Sequence, residues 1–504
     1  MIRTSAQEIF EEYAQCRQYN ASIGLEEKVK EQEDFFIGKQ WEGVNAPDMD
    51  KPVFNILKRV VNYFIAMLAS DNVGISMREF NAKNDSARRA LNEALKEQIL
   101  LVMEENRYSQ LTRRMLRDAA VTGDGCIHLY YEPNEEGADG YYGRIGCELI
   151  DNTDVYFADP YNPDVNRQPY ILIASRRSIE DVKREMGRSG LEPSASMDDS
   201  PFEDESASRD KRCTVITKYY MKDGRVWFTK VVREGTVRPP VCMGIKRYPI
   251  CYMNWERKKG SYHGVSAIEG LIPNQIAINK MAAMAQQFIK QQAFPRVFYN
   301  RNKLKGWTGG IKPIAVTGDP NDVIYTDRHS ISMSGQVSEY IDKFIGHTKE
   351  LMGASDAALG NVSPENTSAI IAVQKATAIP LELVRQEYYR FTEDFVRCCI
   401  DIMSAYYGRR RMVLEEDGEY TERSVDFSIF DQSRMKLNID IGAAAYWSEM
   451  TATTTLENLY KAGLIDAVEY LEGMPAGTIP NKARMIEQAK KKKETENEKG
   501  NEAK

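Results

Sequence analysis

Apolar positions recur at helical spacing in several long stretches of this chain, and at strand spacing in its middle third. The first thirty residues predict a charged helix with Ile9, Tyr13 and Cys16 on one stripe. A loop, FFIGKQWEGVNAPDMDKP, follows. Asn55 to Ala69 predicts a helix, with Leu57, Val60, Val61, Phe64 and Leu68 on one face. Asp85 to Glu105 and Tyr108 to Val121 predict two more, the second broken by the TGDG at Thr122 to Gly125. The texture then turns to β. Short runs at Cys126 to Tyr131, Arg144 to Ile150, Val155 to Phe157 and Tyr170 to Ala174 are separated by Gly, Pro and Asp turns. Ser178 to Met186 predicts a short helix. Strands resume at Cys213 to Met221, turn at Lys222-Asp223-Gly224, and continue through Arg225 to Arg233 and Tyr248 to Trp255.

From Ser266 the pattern is helical again. Ser266 and Glu269 have capping-box spacing, and Pro273 suits the first turn of a helix running to Gln292. Residues 294–335 form a Gly/Pro-punctuated excursion with short strands, and a second helix, Gln336 to Met352, returns. Residues 353–366 predict a loop of small residues. A long helix is expected from Thr367 to Tyr407, kinked at Pro380. In it, Leu381, Val384, Tyr388, Phe391, Phe395, Cys398 and Ile402 make an unbroken stripe, whose plainest reading is one buried face of a packed helix. A short β region lies within 411–445, small helices extend to Gln488, and the charged last sixteen residues predict disorder. The fold class expected is α+β.

Composition narrows the function classes. At 504 residues the chain has roughly three domains' worth of length. Its net charge is −7 and its pI about 5.6, which argues against a broadly basic nucleic-acid-gripping surface. Seven acids and five serines fall within 190–210, predicting a mobile acidic surface loop. The apolar run Val60 to Ser70 is stopped by Arg59 and Asp71, too short to span a bilayer, so no membrane insertion is expected. No signal-peptide pattern opens the chain. Eight cysteines without CxxC or framework spacing predict free thiols in a reducing cytosol.

Catalytic motifs are missing from the linear sequence. Gly38-Lys39 is followed by Gln40 and lacks the upstream glycine of a phosphate loop; there is no HExxH and no GxSxG. His128, His263, His329 and His347 lie far apart and predict ordinary histidines. Asp151, Asp154 and Asp159 have two readings: caps of turns between strands, or ligands of a hard cation. TGDG follows a helix rather than a strand, a poor context for phosphate. Arg296, Arg301, Lys303, Lys305 and Lys312 cluster in the excursion with Trp307, either as a solvated hairpin face or as a docking surface for an acidic partner or DNA backbone. The run Lys490 to Lys493 reads as a solubilising tail or as a flexible arm for phosphates.

The order of segments resembles the tailed-bacteriophage portal proteins. DFFIGKQWEG followed by PVFNILKRVVNYFIAMLASDNVGISM is similar to the family's opening. LRDAAVTGDGCIHLYYE leading to ELIDNTDVYFADP resembles its wing. PICYMNWERKKGSYHGVSAIEGLIPNQIAINKMAAMAQQ resembles the approach to its first stem helix, and LMGASDAALGNVSPENTSAIIAVQKA the stem end, tunnel loop and start of the long helix. Thr367-Ser368-Ala369 departs from the Ser-Gly that relatives often carry there.

The resemblance implies an N-terminal helical arm (1–29), a mixed α/β wing (30–265) including the loop at 190–210, and stem helices at 266–293 and 336–352. It implies a small β-containing clip (294–335), a tunnel loop (353–366), a long kinked helix (367–410), a mainly helical crown (411–488) and a disordered tail (489–504). It implies a homo-oligomeric ring, usually of about twelve subunits, that passes double-stranded DNA into and out of a capsid. Such a ring sits at one vertex of the virion after assembly in the host cytoplasm. Its partners are the terminase large subunit, the major capsid protein and tail adaptors. The family is not enzymatic and needs no cofactor or metal. The clip residues Arg296, Arg301, Lys303, Lys305, Trp307 and Lys312 would meet the motor or an adaptor. Asp356, Asn361, Val362, Ser363, Glu365 and Asn366 would line the channel. A conduit that neutralises few phosphates lets a duplex slide, which suits an acidic subunit. Two other readings stay open: a magnesium-dependent nucleic-acid-processing enzyme built on Asp151, Asp154 and Asp159, and a capsid adaptor that binds protein only.

Overall fold

A computed structural model describes residues 4–46, 49–69, 72–79, 86–187, 193, 212–293, 296–304, 314–317, 324–327, 335–353, 381–416, 419–431, 435–442, 446–474 and 484–486. Helices and mostly antiparallel sheets share these residues in an α+β architecture. None of the described helices is long and apolar enough to cross a membrane.

The single N-terminal helix expected is two, α1 (Ala6–Ser22) and α2 (Leu25–Ile37), because Gly24 takes a left-handed turn at φ 64° between them. Ser5 and Glu8 cap α1 reciprocally. Helices α3 (Ile56–Ala69), α4 (Ser86–Glu105) and α5 (Tyr108–Thr122) lie where the periodicity placed them. Strands β2 (Asp124–Glu136), β3 (Tyr142–Ile150), β4 (Val155–Phe157) and β5 (Tyr170–Ser178) follow, then α6 (Ile179–Met186) with Ser178 as its cap. Beyond them come β6 (Arg212–Lys222), β7 (Arg225–Val232), β8 (Gly235–Cys242) and β9 (Ile250–Asn254). The β6–β7 turn has Asp223 and Gly224 both at positive φ, the twist a two-residue hairpin needs.

Strands β4-β5-β6-β7-β8 form one antiparallel sheet, and β3-β2-β9 another. Side chains alternate across the five-stranded sheet with period two. Leu172, Ala174, Ile216 and Val231 meet Ile9 and Tyr13 of α1 on one face. On the other, Ile171, Ile173 and Tyr219 join the main core, while Val215, Val232 and Val237 pack under α6. Residues 1–29, set apart in the sequence as an arm, thus supply α1 to this sheet. The buried Lys218–Glu12 ion pair ties β6 to α1, with the Lys218 ammonium 4.4 Å above the Tyr170 ring.

The main core gathers α3, α5, the β3-β2-β9 sheet and the helix α9 (Glu382–Tyr406). The stripe Leu381, Val384, Tyr388, Phe391, Phe395, Cys398 and Ile402 is buried throughout, the packed-face reading made at the sequence. The expected start of that helix at Thr367 and its kink at Pro380 lie outside the described residues, as do the tail and nearly all of 190–210. Two strands had no sequence signal. β1 (Asn72–Glu79) pairs antiparallel with β15 (Met435–Gly442), and β8 carries Pro239 and Pro240 on the sheet edge, where missing N–H donors cost nothing. The stretch 411–488, implied to be mainly helical, divides between strand and helix. β13 (Arg409–Glu416), β14 (Glu419–Asp426) and β15 precede α10 (Tyr446–Lys461) and α11 (Ala467–Gly473).

Candidate functional site: a helix pair carrying a small sheet

Helix α7 (Ile272–Ala293) and helix α8 (Gly335–Leu351) pack on each other, and the chain between them forms a three-stranded sheet. Its strands are β10 (Arg296–Asn300), β11 (Ile314–Val316) and β12 (Ile324–Asp327). The central β10 pairs parallel with β11 and antiparallel with β12. Burial grades along the pair. Ile272, Gln275, Ile278, Asn279 and Ala283 root the first half of α7, and Thr348 and Met352 root the end of α8. Toward the small sheet the pair opens to solvent: Met284 is 58% exposed, Ile289 56% and Tyr340 59%. Ile314 and Ile324 are also exposed on the sheet's outer strands. Met284, Ile289, Tyr340, Ile314 and Ile324 are thus large apolar side chains left exposed on the pair and its sheet.

A buried amide network anchors the root of α7. Gln275, fully buried, donates through Nε2 to the Phe54 carbonyl at 2.6 Å and accepts the Ile56 N–H at 3.1 Å. Asn279, one turn on, accepts the Phe54 N–H at 3.1 Å and donates to Gln40 Oε1 at 2.6 Å. Gln40 in turn donates to the Phe35 carbonyl at 2.8 Å, and the Asn55 amide to the Phe36 carbonyl at 3.0 Å. The GKQW stretch and the cap of α3 are thereby stapled to α7. Sequence reasoning missed Gln275 and Asn279; their i, i+4 spacing on a face that is otherwise apolar was the available signal.

A second network precedes α7. Gly123, at φ 97°, ends α5, and the Asp124 carboxylate after it is wholly buried. It accepts the Gly264 N–H and the Asn254 amide, both at 2.7 Å, and lies 2.8 Å from His263 Nδ1. The Trp255 N–H donates to the Gly123 carbonyl, and the Ala267 N–H to that of Ala120, each at 2.9 Å. TGDG therefore latches α5 to the segment that leads into α7. Ser266 Oγ accepts the Ile268 and Glu269 N–H groups at 3.1 Å. The expected reciprocal half of that capping box gives way to an ion pair, with Glu269 facing Lys28 at 3.3 Å.

The remaining sequence candidates divide by position. Arg301 and Lys303 sit exposed in the turn after β10, and Arg296 opens that strand opposite Asp327. Lys305, Trp307, Lys312, Asp356, Asn361, Val362, Ser363, Glu365 and Asn366 lie outside the described residues, as does His329. Asp154 is neutralised by Arg176, whose Nη1 is 3.1 Å from both carboxylate oxygens. Asp159 accepts the Tyr161 N–H at 3.0 Å, the turn-capping role. Burial raises the pKa of Asp151, with Arg176 and Arg117 pulling the other way. The cation reading of this trio is not supported: among the described residues no group of three or more Asp, Glu, His or Cys side chains is placed to hold a metal ion. His128 bridges Glu148 and Tyr219 at 2.8 and 2.7 Å, a satisfied core histidine. Burial also pushes Cys16 up to about 11 and Cys147 up to about 12, which disfavours thiolate chemistry at either.

No protein-family model matches the chain, and no curated protein matches it.

Proposed function

We propose that the chain is the subunit of a portal-type ring, a passive conduit for double-stranded DNA through which a viral genome is packaged and ejected. The observation that carries this reading is the helix pair α7/α8. It is rooted by two buried polar networks, tipped by a small sheet, and exposes Met284, Ile289 and Tyr340 among polar side chains on the half nearer that sheet. That is the stem-and-clip order the sequence resemblance implies, and the exposed Met284, Ile289 and Tyr340 give neighbouring copies something to bury. The small sheet, with Arg301 and Lys303 in its first turn, is the surface offered to an acidic face of the packaging motor or a tail adaptor. The tunnel-loop segment 353–366 follows α8 directly, and its two charges, Asp356 and Glu365, are both acidic, as sliding requires.

Electron microscopy of the purified full chain tests the proposal. Radially symmetric rings with a central hole are the expected result. A chain that stays monomeric at every concentration, or cleaves DNA when magnesium is added, overturns it. Particles without a hole favour the protein-only adaptor.

A further inference from the structure

An open groove of about 580 Å³ runs between α3 and α5. Asn62, Ile65, Ala66 and Ala69 line one wall, and Arg113, Arg114 and Arg117 the other. Three arginines among seven lining residues stand out on a chain of net charge −7. Arg117 is held in place: it pairs with Glu33 and with Asp118 at 3.0 Å, and lies 5.1 Å from the centre of the Phe36 ring. Arg113 and Arg114 are exposed and have no acidic partner among the described residues. Arg59 is exposed one turn before Asn62, on the same side of α3.

The chemistry of the groove selects its ligand. Guanidinium forks match phosphate oxygens in pairs, and remain charged at any working pH. Arg113 and Arg114 are the two guanidiniums left to an outside anion, while Arg117, one helical turn from Arg113 and already engaged by Glu33 and Asp118, adds little charge of its own. None of the seven lining residues is acidic, and the Glu33 and Asp118 carboxylates beside the groove are engaged by Arg117. None is aromatic, so the groove offers unstacked bases no platform. We infer that the α3–α5 groove holds the phosphate backbone of duplex nucleic acid, independently of its sequence. The inference goes beyond the ring reading: the groove lies outside the segments assigned to channel and clip, and binding is expected of a single subunit.

Fluorescence anisotropy with a labelled duplex of about 20 base pairs, titrated with the full chain between about 50 and 200 mM salt, tests it. Arg113→Ala/Arg114→Ala should weaken binding about tenfold or more at the low-salt end and flatten the log–log salt slope by about 1.8, the loss of two phosphate contacts. Arg113→Gln alone, one exposed side chain, should flatten it by about 0.9. Lys258→Ala/Lys259→Ala removes the same charge from an exposed turn elsewhere and should change affinity less than about twofold. A single strand of the same sequence should bind no tighter than the duplex. The inference fails if the wild-type chain does not bind the duplex, if the two double variants weaken binding equally, or if affinity survives in Arg113→Ala/Arg114→Ala. It fails equally if a Glu-rich peptide binds in an Arg113-dependent manner and the duplex does not.

Discussion

Asp118 shows burial outweighing an ion pair. Its carboxylate lies 3.0 Å from Arg117, yet desolvation raises its pKa from an ordinary 3.8 to about 6. The consequence for stability has a definite sign. Between 3.8 and 6 the unfolded chain has already released a proton that the folded chain still holds, so this group's contribution falls as pH rises through that window and is level above it. Asp118→Asn removes the titration. The variant should therefore gain on the wild type as pH rises from 4 to 7, by at most about 3 kcal/mol, in urea unfolding followed at several pH values. A difference that stays constant over that range would show that Asp118 ionises normally in the folded chain.

The junction of α5 with β2 depends on two close approaches that only small residues permit. A Cβ added at Gly264 would meet the Gly123 carbonyl oxygen at 2.7 Å and that of Glu256 at 2.9 Å, both backbone atoms with no freedom to yield. Gly264→Ala should cost about 1–3 kcal/mol. Asp124→Ala should cost about 3–5 kcal/mol, because it strands the Gly264 N–H, the Asn254 amide and the His263 ring in a dry interior. Gly270→Ala, where a Cβ meets nothing within 4 Å, should stay within about 0.5 kcal/mol of the wild type. Chemical denaturation of the three variants measures this, and equal midpoints for Gly264→Ala and Gly270→Ala would refute the close-packing account. The same junction marks how far the sequence could be read. The end of α5 at TGDG was legible, because a glycine pair stops a periodic helix locally. The role of Asp124 was not, since its partners at 254, 263 and 264 are more than a hundred residues away. Likewise α3, α4 and α5 were legible from their own apolar stripes, whereas β1 is a strand through pairing with β15, and β8 hides behind two prolines on an edge. At the candidate site the helix pair and its small sheet were readable as elements. The gradient of burial along them was not, because it depends on which half of each helix the rest of the chain covers.

At the scale of the whole molecule, charge and exposed apolar surface pull against each other. About twelve copies at −7 each would carry roughly −84, so a ring of this chain would repel itself unless its interfaces bury apolar surface. Low salt should accordingly favour the monomer. The side chains in a position to oppose that repulsion are Met284 and Ile289 on α7 and Tyr340 on α8, each more than half exposed in the single chain. Full burial of one such side chain contributes about 1.5–3 kcal/mol, and in a closed ring each contact recurs at every interface. A carboxylate at these positions leaves the monomer almost untouched, because the sites already face water, but puts an unpaired charge into the interface. Met284→Glu/Ile289→Glu should therefore unfold within about 0.5 kcal/mol of the wild type and elute as a monomer, under conditions where the wild type elutes as a ring in size-exclusion chromatography with light scattering. Raising the salt should restore wild-type rings dispersed at low ionic strength, yet leave the variant monomeric, since screening relieves the repulsion between subunits without removing the cost of burying a charge. A variant that assembles as readily as the wild type would place the interface elsewhere and take away the observation on which the ring reading stands.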